Sequence, residues 1–232
     1  GLVGSEMCIR DRIRELGGGM WISAEIFILT LLFSLPLGLV VAFGRMSKIA
    51  PVRWISKLYI SIMRGTPLML QLMVVYFGPY YLFGMRISTG YRMTAVLIGF
   101  AINYAAYFAE IYRGGIEAIP VGQYEAAKVL GYSKGQTFFR IVFPQVCKHI
   151  LPAVTNEIIT LVKDTSLALI IALQEIIWAG QSFLKGSQGI SGAIWPMFFA
   201  AVYYLVFNGI LTVLLGLSLI HISEPTRPIS IS

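Results

Sequence analysis

Apolar residues run in long blocks along this chain, separated by short charged stretches. Ile26 to Gly44, Thr66 to Met85 and Ile190 to Gly216 hold no charged side chain. Each is long enough, at about 1.5 Å per helical residue, to cross a hydrocarbon core about 30 Å thick. Met93 to Ala109 is also free of charge and sits at the lower length limit for a span. Ile150 to Gly180 is long enough but carries Glu157, Lys163, Asp164 and Glu175. The pattern predicts an all-α integral membrane protein with five transmembrane helices.

Local residues refine this outline. Pro36 and Gly38 predict a kink or a close packing point in the first span. Glu25 lies near its outer end, where it can reach water as an interfacial charge. Ala50 to Met63 alternates apolar residues with Arg53 and Lys57 in the manner of a helix lying along a membrane surface. At Arg64-Gly65-Thr66-Pro67 the backbone must bend, because the residue before proline avoids the helical region while proline itself starts a helix well. Ala101, Ala105 and Ala109 recur every four residues and let two helix backbones approach in lipid. Asn103 and Glu110 add polar groups to this span, and Arg113 at i+3 from Glu110 predicts a local ion pair.

Between the third and fourth apolar blocks lies a polar stretch, Arg113 to Lys148. Pro120 suits a helix start, Gly131 suits the left-handed residue that ends a helix, and Ser133 with Gln136 has capping-box spacing for a second short helix running to Pro144. Within it Glu125, Ala126, Ala127, Gly131, Ile141 and Pro144 stand in fixed order. That spacing resembles the EAA loop of ABC importer permeases, with Phe143 where the family usually has leucine. Arg64 to Leu72 (RGTPLMLQL), Ala109 to Ile116 (AEIYRGGI) and Lys163 to Leu167 (KDTSL) resemble the polar amino-acid permeases of that family. The resemblance covers roughly Met20 to Leu215. It implies a type I importer permease fold with a cytoplasmic two-helix coupling loop over about Arg113–Lys148. It also implies docking of that loop onto a cytoplasmic ABC ATPase dimer.

Both ends of the chain read as foreign. Leu2 to Asp11 can be encoded by a DNA string whose reverse complement, preceded by CT and shifted in frame, spells Leu217 to Thr226. Opposite strands of one string encoding the two ends of a protein resemble a sequencing adapter translated at both ends of a fragment. On this reading residues 1–12 and 217–232 are artefact, and 13–216 are the permease domain. Charge is unaffected by trimming, since Arg10, Arg12 and Arg227 go together with Glu6, Asp11 and Glu224, and the net charge stays at +7. Cys8 and His221 also go, leaving Cys147 and His149, which make neither an intrachain disulfide nor a metal cluster.

Composition agrees with a membrane protein: 57% hydrophobic residues and a mean hydropathy of +0.77 are far from soluble averages. The basic excess is topological. Arg45, Lys48, Arg53 and Lys57 follow the first span, and Arg113, Lys128, Lys134, Arg140 and Lys148 follow the third. Arg86, Arg92 and Lys185 lie on the other side. The positive-inside rule then places the polar loop and the C-terminus in the cytoplasm and the N-terminus outside. No basic fold or aromatic platform supports a nucleic-acid partner.

Candidate chemistry sits in the fourth block. Asn156, Glu157, Lys163, Asp164, Thr165 and Ser166 interrupt apolar sequence, and a charge near the bilayer centre costs about 2.5–3.5 kcal/mol on insertion scales, so it faces a cavity or a partner. Asp164, Thr165, Ser166, Asn156, Glu157 and Arg64 are therefore the candidate substrate path. For this group the alternative is a helix interruption with Lys163 paired to a neighbouring carboxylate, serving structure only. For Arg64 it is a reach toward lipid phosphates.

No GxxxxGK[ST] phosphate loop occurs in the chain. The resemblance therefore assigns ATP and Mg to the partner ATPase and leaves this chain without a cofactor, a metal site or catalytic residues. It further implies a second permease, identical or paralogous, an extracytoplasmic solute-binding protein, and alternating access for an amino-acid substrate in a bacterial cytoplasmic membrane. An ion-coupled carrier or channel relaying protons through Lys163, Asp164 and Glu157 is the rival, and it leaves the EAA-like loop without a purpose. A membrane enzyme lacks any Ser/His/Asp set or metal cluster to work with.

Overall fold

The computed structural model describes residues 2–86, 88, 90–182 and 189–223. Lys185, counted above among the basic residues opposite the polar loop, lies outside them. Every regular element among the described residues is helical. In order these are α1 (Leu2–Arg45), α2 (Ala50–Gly65), α3 (Leu68–Phe83), α4 (Tyr91–Glu117), α5 (Val121–Val129), α6 (Lys134–Thr137), α7 (Phe143–Asp164), α8 (Ile176–Ser182) and α9 (Gly189–Ser223). A π-helical turn, Phe138–Val142, joins α6 to α7, and a 3-10 segment, Thr165–Ile171, follows α7.

Three stretches are long and apolar enough to cross a membrane: Leu16–Arg45 of α1, Tyr91–Glu117, and Pro196–Leu217 of α9. The bent pair α2 and α3, meeting at 109°, passes the same test together and brings the number to as many as four where the pair counts as one span. The expected fifth crossing over Ile150 to Gly180 is not one helix. α7 stops at Asp164, because Thr165 Oγ1 donates to the Val162 carbonyl (2.8 Å) and Ser166 Oγ to the Lys163 carbonyl (2.8 Å). These hydroxyls serve carbonyls three residues back, and the chain tightens into the 3-10 segment at that point. It ends at Ala172 in left-handed geometry (φ 55).

α4 is the hub. Phe100, Tyr104, Ala105, Ala106, Phe108 and Ala109 are buried along it. It packs most extensively on α1, and also on α2, α3 and α7. The apolar core joins it to Ile26 and Phe27 of α1, Leu72 and Tyr76 of α3, and Leu161 and Val162 of α7. The alanine strip lies buried as expected, and Gly38 meets it. A Cβ on Gly38 would stand 2.8 Å from Phe108 Cβ and 3.1 Å from the Ala105 carbonyl oxygen. Of the two roles open to Pro36 and Gly38, close packing is the one Gly38 fills. In lipid, where burying apolar surface brings no hydrophobic gain between helices, such close backbone approach is what holds them together.

The sharp bend between α2 and α3 has the expected local cause. Thr66 is extended (φ −122, ψ 147) before Pro67, which itself caps α3. The pair Glu110–Arg113 forms at 2.6 Å, joined by Glu117 and, at 3.9 Å, by Arg45 of α1.

Gly38→Val should wedge α1 from α4 and lower stability by about 1–3 kcal/mol, the usual range for overpacking. Gly78, whose Cβ position is open, is the control: Gly78→Ala should leave stability unchanged or raise it slightly. Thermal denaturation of both variants in detergent, followed by loss of monodisperse protein, measures the difference.

Candidate functional site

Two sites emerge, one at an end of the bundle and one inside it. The first is the loop built by α5, α6 and the π turn. Pro120 sits at the N-cap of α5, one place earlier than the first helical turn (φ −60, ψ 139). At the other end Gly131 adopts φ +77. Its N–H bonds the Lys128 carbonyl (3.1 Å), and the Tyr132 N–H bonds the Ala127 carbonyl (3.0 Å). This is the Schellman arrangement, which reverses the chain at a left-handed residue while satisfying helix carbonyls. Ser133 and Gln136 then form a full capping box: Ser133 N–H donates to Gln136 Oε1 (2.9 Å) and Gln136 N–H to Ser133 Oγ (3.3 Å).

The second helix does not end at Pro144. Phe143 N–H bonds the Phe138 carbonyl five residues back, and this wider turn carries the chain past the proline, which has no N–H to give. Pro144 falls in the first turn of α7. Lys134 to Asp164 is thus one unbroken helical rod. Ile119, Val142 and Val146 are buried together with Ile116, Phe138 and Ile150 around them, and this cluster fastens the rod to the end of α4. Ala127 and Val142 face inward, Ile141 is half-buried, and Glu125, Ala126, Gly131 and Pro144 are exposed. Beside Glu125 the loop also exposes Val121, Tyr124, Val129, Leu130 and Phe139, with Val129 at 88% and Leu130 at 72%.

The second site lies where the rod ends. Tyr104, fully buried on α4, donates its hydroxyl to Asp164 Oδ2 at 2.7 Å. Lys163 is exposed and forms no ion pair among the described residues, and the hydrogen-bond partner of Asp164 is a tyrosine from another helix. Glu157, two turns earlier on the same face, lies within the electrostatic reach of both Asp164 and Arg64. The Arg64 guanidinium stacks over the Tyr107 ring, 5.3 Å from its centroid, and Tyr107 neighbours Tyr104. Thr165 is buried and stands 3.3 Å from the Tyr204 hydroxyl of α9. Ser166 is half-buried. Asn156 is exposed and only accepts, through its backbone carbonyl, from Thr160 (3.0 Å). Asp164, Glu157 and Arg64 therefore share one region, Thr165 turns into the core against α9, and Asn156 stands apart.

Sequence reading missed several members. Tyr104 and Tyr107 look like ordinary apolar-span aromatics, and only the fold places them against Asp164 and Arg64. Gln71 and Asn103 hold the bend that positions Arg64: Gln71 Nε2 donates to the Met63 carbonyl (2.9 Å) and to Thr66 Oγ1 (2.8 Å), and Asn103 Nδ2 donates to Gln71 Oε1 (2.9 Å). Glu175 is buried and caps α8, accepting from the Ile177 and Trp178 N–H groups at 2.7 and 2.8 Å.

The chain is 36% identical over 194 residues to the arginine transport system permease protein ArtQ of Bacillus subtilis, covering 84% of this chain and 86% of that one. It is 37% identical over 166 residues to the L-cystine transport system permease protein TcyB of the same species, covering 72% and 69%. Among solved structures it matches a chain of an amino acid ABC transporter, crystallised with histidines, with a TM-score of 0.83, 30% identity, and coverage of 93% and 97%. The family of binding-protein-dependent transport system inner membrane components matches residues 34–218. That span holds both the loop closed by Gly131 and the polar region around Asp164, and the chain belongs to this family of membrane-embedded transport subunits.

Proposed function

We propose that the chain is the permease of an ATP-driven importer of polar amino acids, working by alternating access with its C-terminus in the cytoplasm. The observation that carries the mechanism is the rod from Lys134 to Asp164. It spans about 45 Å at 1.5 Å per residue. One end is part of an exposed loop with the form of a docking element, and the other end bears the carboxylate of the polar region. A helix transmits displacement along its axis better than a hinged pair would. Closure of an ATPase dimer against the loop therefore moves Asp164 relative to α4. ATP and Mg belong to that dimer. A second permease, a copy or a paralogue, completes the path, and an extracytoplasmic binding protein delivers the solute.

At the loop, Glu125 supplies acceptors for donors on the ATPase, and Val129 and Leu130 supply apolar contact. At the other end, Asp164 and Glu157 offer negative charge to a substrate ammonium, and Arg64 offers positive charge to its carboxylate. The Tyr104 hydroxyl holds Asp164 in place without neutralising it. An ion-coupled carrier would have no use for a rigidly capped, exposed loop.

Three outcomes test this reading. Gly131→Val must force a β-branched residue into φ +77, a conformation strained for any L side chain. Co-purification of the ATPase and coupled uptake should be lost while membrane insertion survives. Glu125→Ala should weaken the same readouts less severely. Normal ATPase binding and uptake by Gly131→Val would overturn the docking role.

Asp164→Asn keeps an acceptor for Tyr104 but removes the charge. Uptake in proteoliposomes should fall about tenfold or more, the scale of a lost charge-assisted hydrogen bond, with basal ATP hydrolysis of the assembled complex near the parent level. Parent-like affinity in this variant would make Asp164 structural.

Finally, on the adapter reading of the ends, a chain trimmed to residues 13–216 should insert and transport as the full chain does. Loss of assembly on removing only residues 1–12 and 217–232 would refute that reading.

A further inference from the structure

A cleft of about 520 Å³ opens where α1 gives way to α2, lined by Arg45, Ala50, Pro51, Arg53, Trp54 and Lys57. Its volume is that of a ligand pocket rather than a packing defect. Three of its six lining residues are cations. Arg53 and Lys57 stand one turn apart on α2, a like-charge spacing that destabilises a helix when nothing offsets it. Neither has a carboxylate within ion-pair distance among the described residues. Arg53 donates to the Ser47 carbonyl (3.3 Å), and Arg45 reaches only a shared, distant Glu110 at 3.9 Å. The cleft thus concentrates positive charge that the neighbouring carboxylates offset only through the long Arg45–Glu110 pair.

The surroundings identify what kind of anion fits. α2 buries Ile60, with Ser56, Tyr59 and Met63 half-buried, on the side toward α1 and α4. The opposite side exposes Trp54, Ile55, Leu58 and Ile62 in one apolar stripe, beginning at the cleft itself with Trp54. A cationic pocket continuous with an apolar stripe matches a molecule with a phosphate head and hydrocarbon tails. A free phosphate would use the cations and leave the stripe uncovered. Arg45 also ties the cleft to Glu110, and through it to Arg113, at the end of α4 that carries the loop of α5 and α6.

We infer that this cleft is a binding site for an anionic phospholipid, with the headgroup phosphate among Arg45, Arg53 and Lys57 and the acyl chains along Trp54, Ile55, Leu58 and Ile62. Trp54, amphipathic and at the junction, sits at headgroup depth. Juxtamembrane cations gain substantially from anionic headgroups, and two or three acting together discriminate strongly against a neutral lipid. The bound lipid would brace α2, and with it the bend that carries Arg64.

The test is native mass spectrometry of the full chain, purified in detergent and titrated with phosphatidylglycerol or phosphatidylcholine, with inorganic phosphate as competitor. Phosphatidylglycerol should be retained about tenfold or more better than phosphatidylcholine. The double variant Arg53→Gln/Lys57→Gln should lose that preference. The charge-keeping swap Arg53→Lys/Lys57→Arg should preserve most of it. Lys48→Gln removes a charge from the same loop but not from the cleft, and should match the parent. Retention by the neutralised variant at the parent level would overturn the proposal. So would displacement of the lipid by equimolar inorganic phosphate, which would mark the cleft as a site for free anions.

Discussion

Two neighbouring side chains on α4, Asn103 and Tyr104, hold two of the places where the helical bundle is interrupted. In hydrocarbon no water is present to satisfy a broken backbone, so each interruption must bring polar partners from within the protein. At the bend between α2 and α3, the Met63 carbonyl accepts from Gln71 and Asn103 and the Ile62 carbonyl from Thr66 Oγ1. At the end of α7, Tyr104 fixes Asp164. The first interruption places Arg64 and the second places Asp164. Because the two partners are consecutive on one buried helix, the charged groups of opposite sign are referenced to a common frame.

That frame is rigid for a reason visible in its packing. Small residues let α1 lie close along α4, and aromatic residues of α4, Phe100, Tyr104, Phe108 and Tyr112, follow one another at ring distances of 6.3 to 6.4 Å. α9 sits at the margin, with most of its large apolar residues exposed, and reaches the centre through Tyr204 and Phe207. The close α1–α4 pair and the rod that ends against it would supply, on the proposed alternating mechanism, one element to stay and one to move.

Much of this was legible in the sequence because its causes are local. The Thr66-Pro67 bend, the left-handed Gly131, the Ser133–Gln136 capping box and the Glu110–Arg113 pair each depend on residues within a turn of one another. What was not legible depends on partners far along the chain or on small shifts of helical register. The phenol of Tyr104 meets a carboxylate sixty positions away, and no local pattern distinguishes it from Tyr107 or Tyr112. The π turn at Phe138–Val142 adds one residue to a helical turn and so hides in the same apolar periodicity that predicts two helices stopping at Pro144. At Asp164 the interruption is legible in the polar run from Lys163 to Ser166, but its 3-10 form is not, because it depends on which carbonyls the Thr165 and Ser166 hydroxyls reach.

The merging of the second loop helix into α7 changes how the loop should be understood. Two short helices ended by Pro144 would have made a hinged adaptor, able to absorb motion as readily as transmit it. With the π turn bridging Pro144, the helix runs on into α7, and the reversal on the other side is a single left-handed residue, Gly131, with two hydrogen bonds across it. The apolar cluster of Ile119, Val142 and Val146 sits where the rod from Lys134 to Asp164 packs on the end of α4. On the proposed mechanism, displacement of the loop would be carried past this cluster to Asp164, which is hydrogen-bonded to a tyrosine of a different helix.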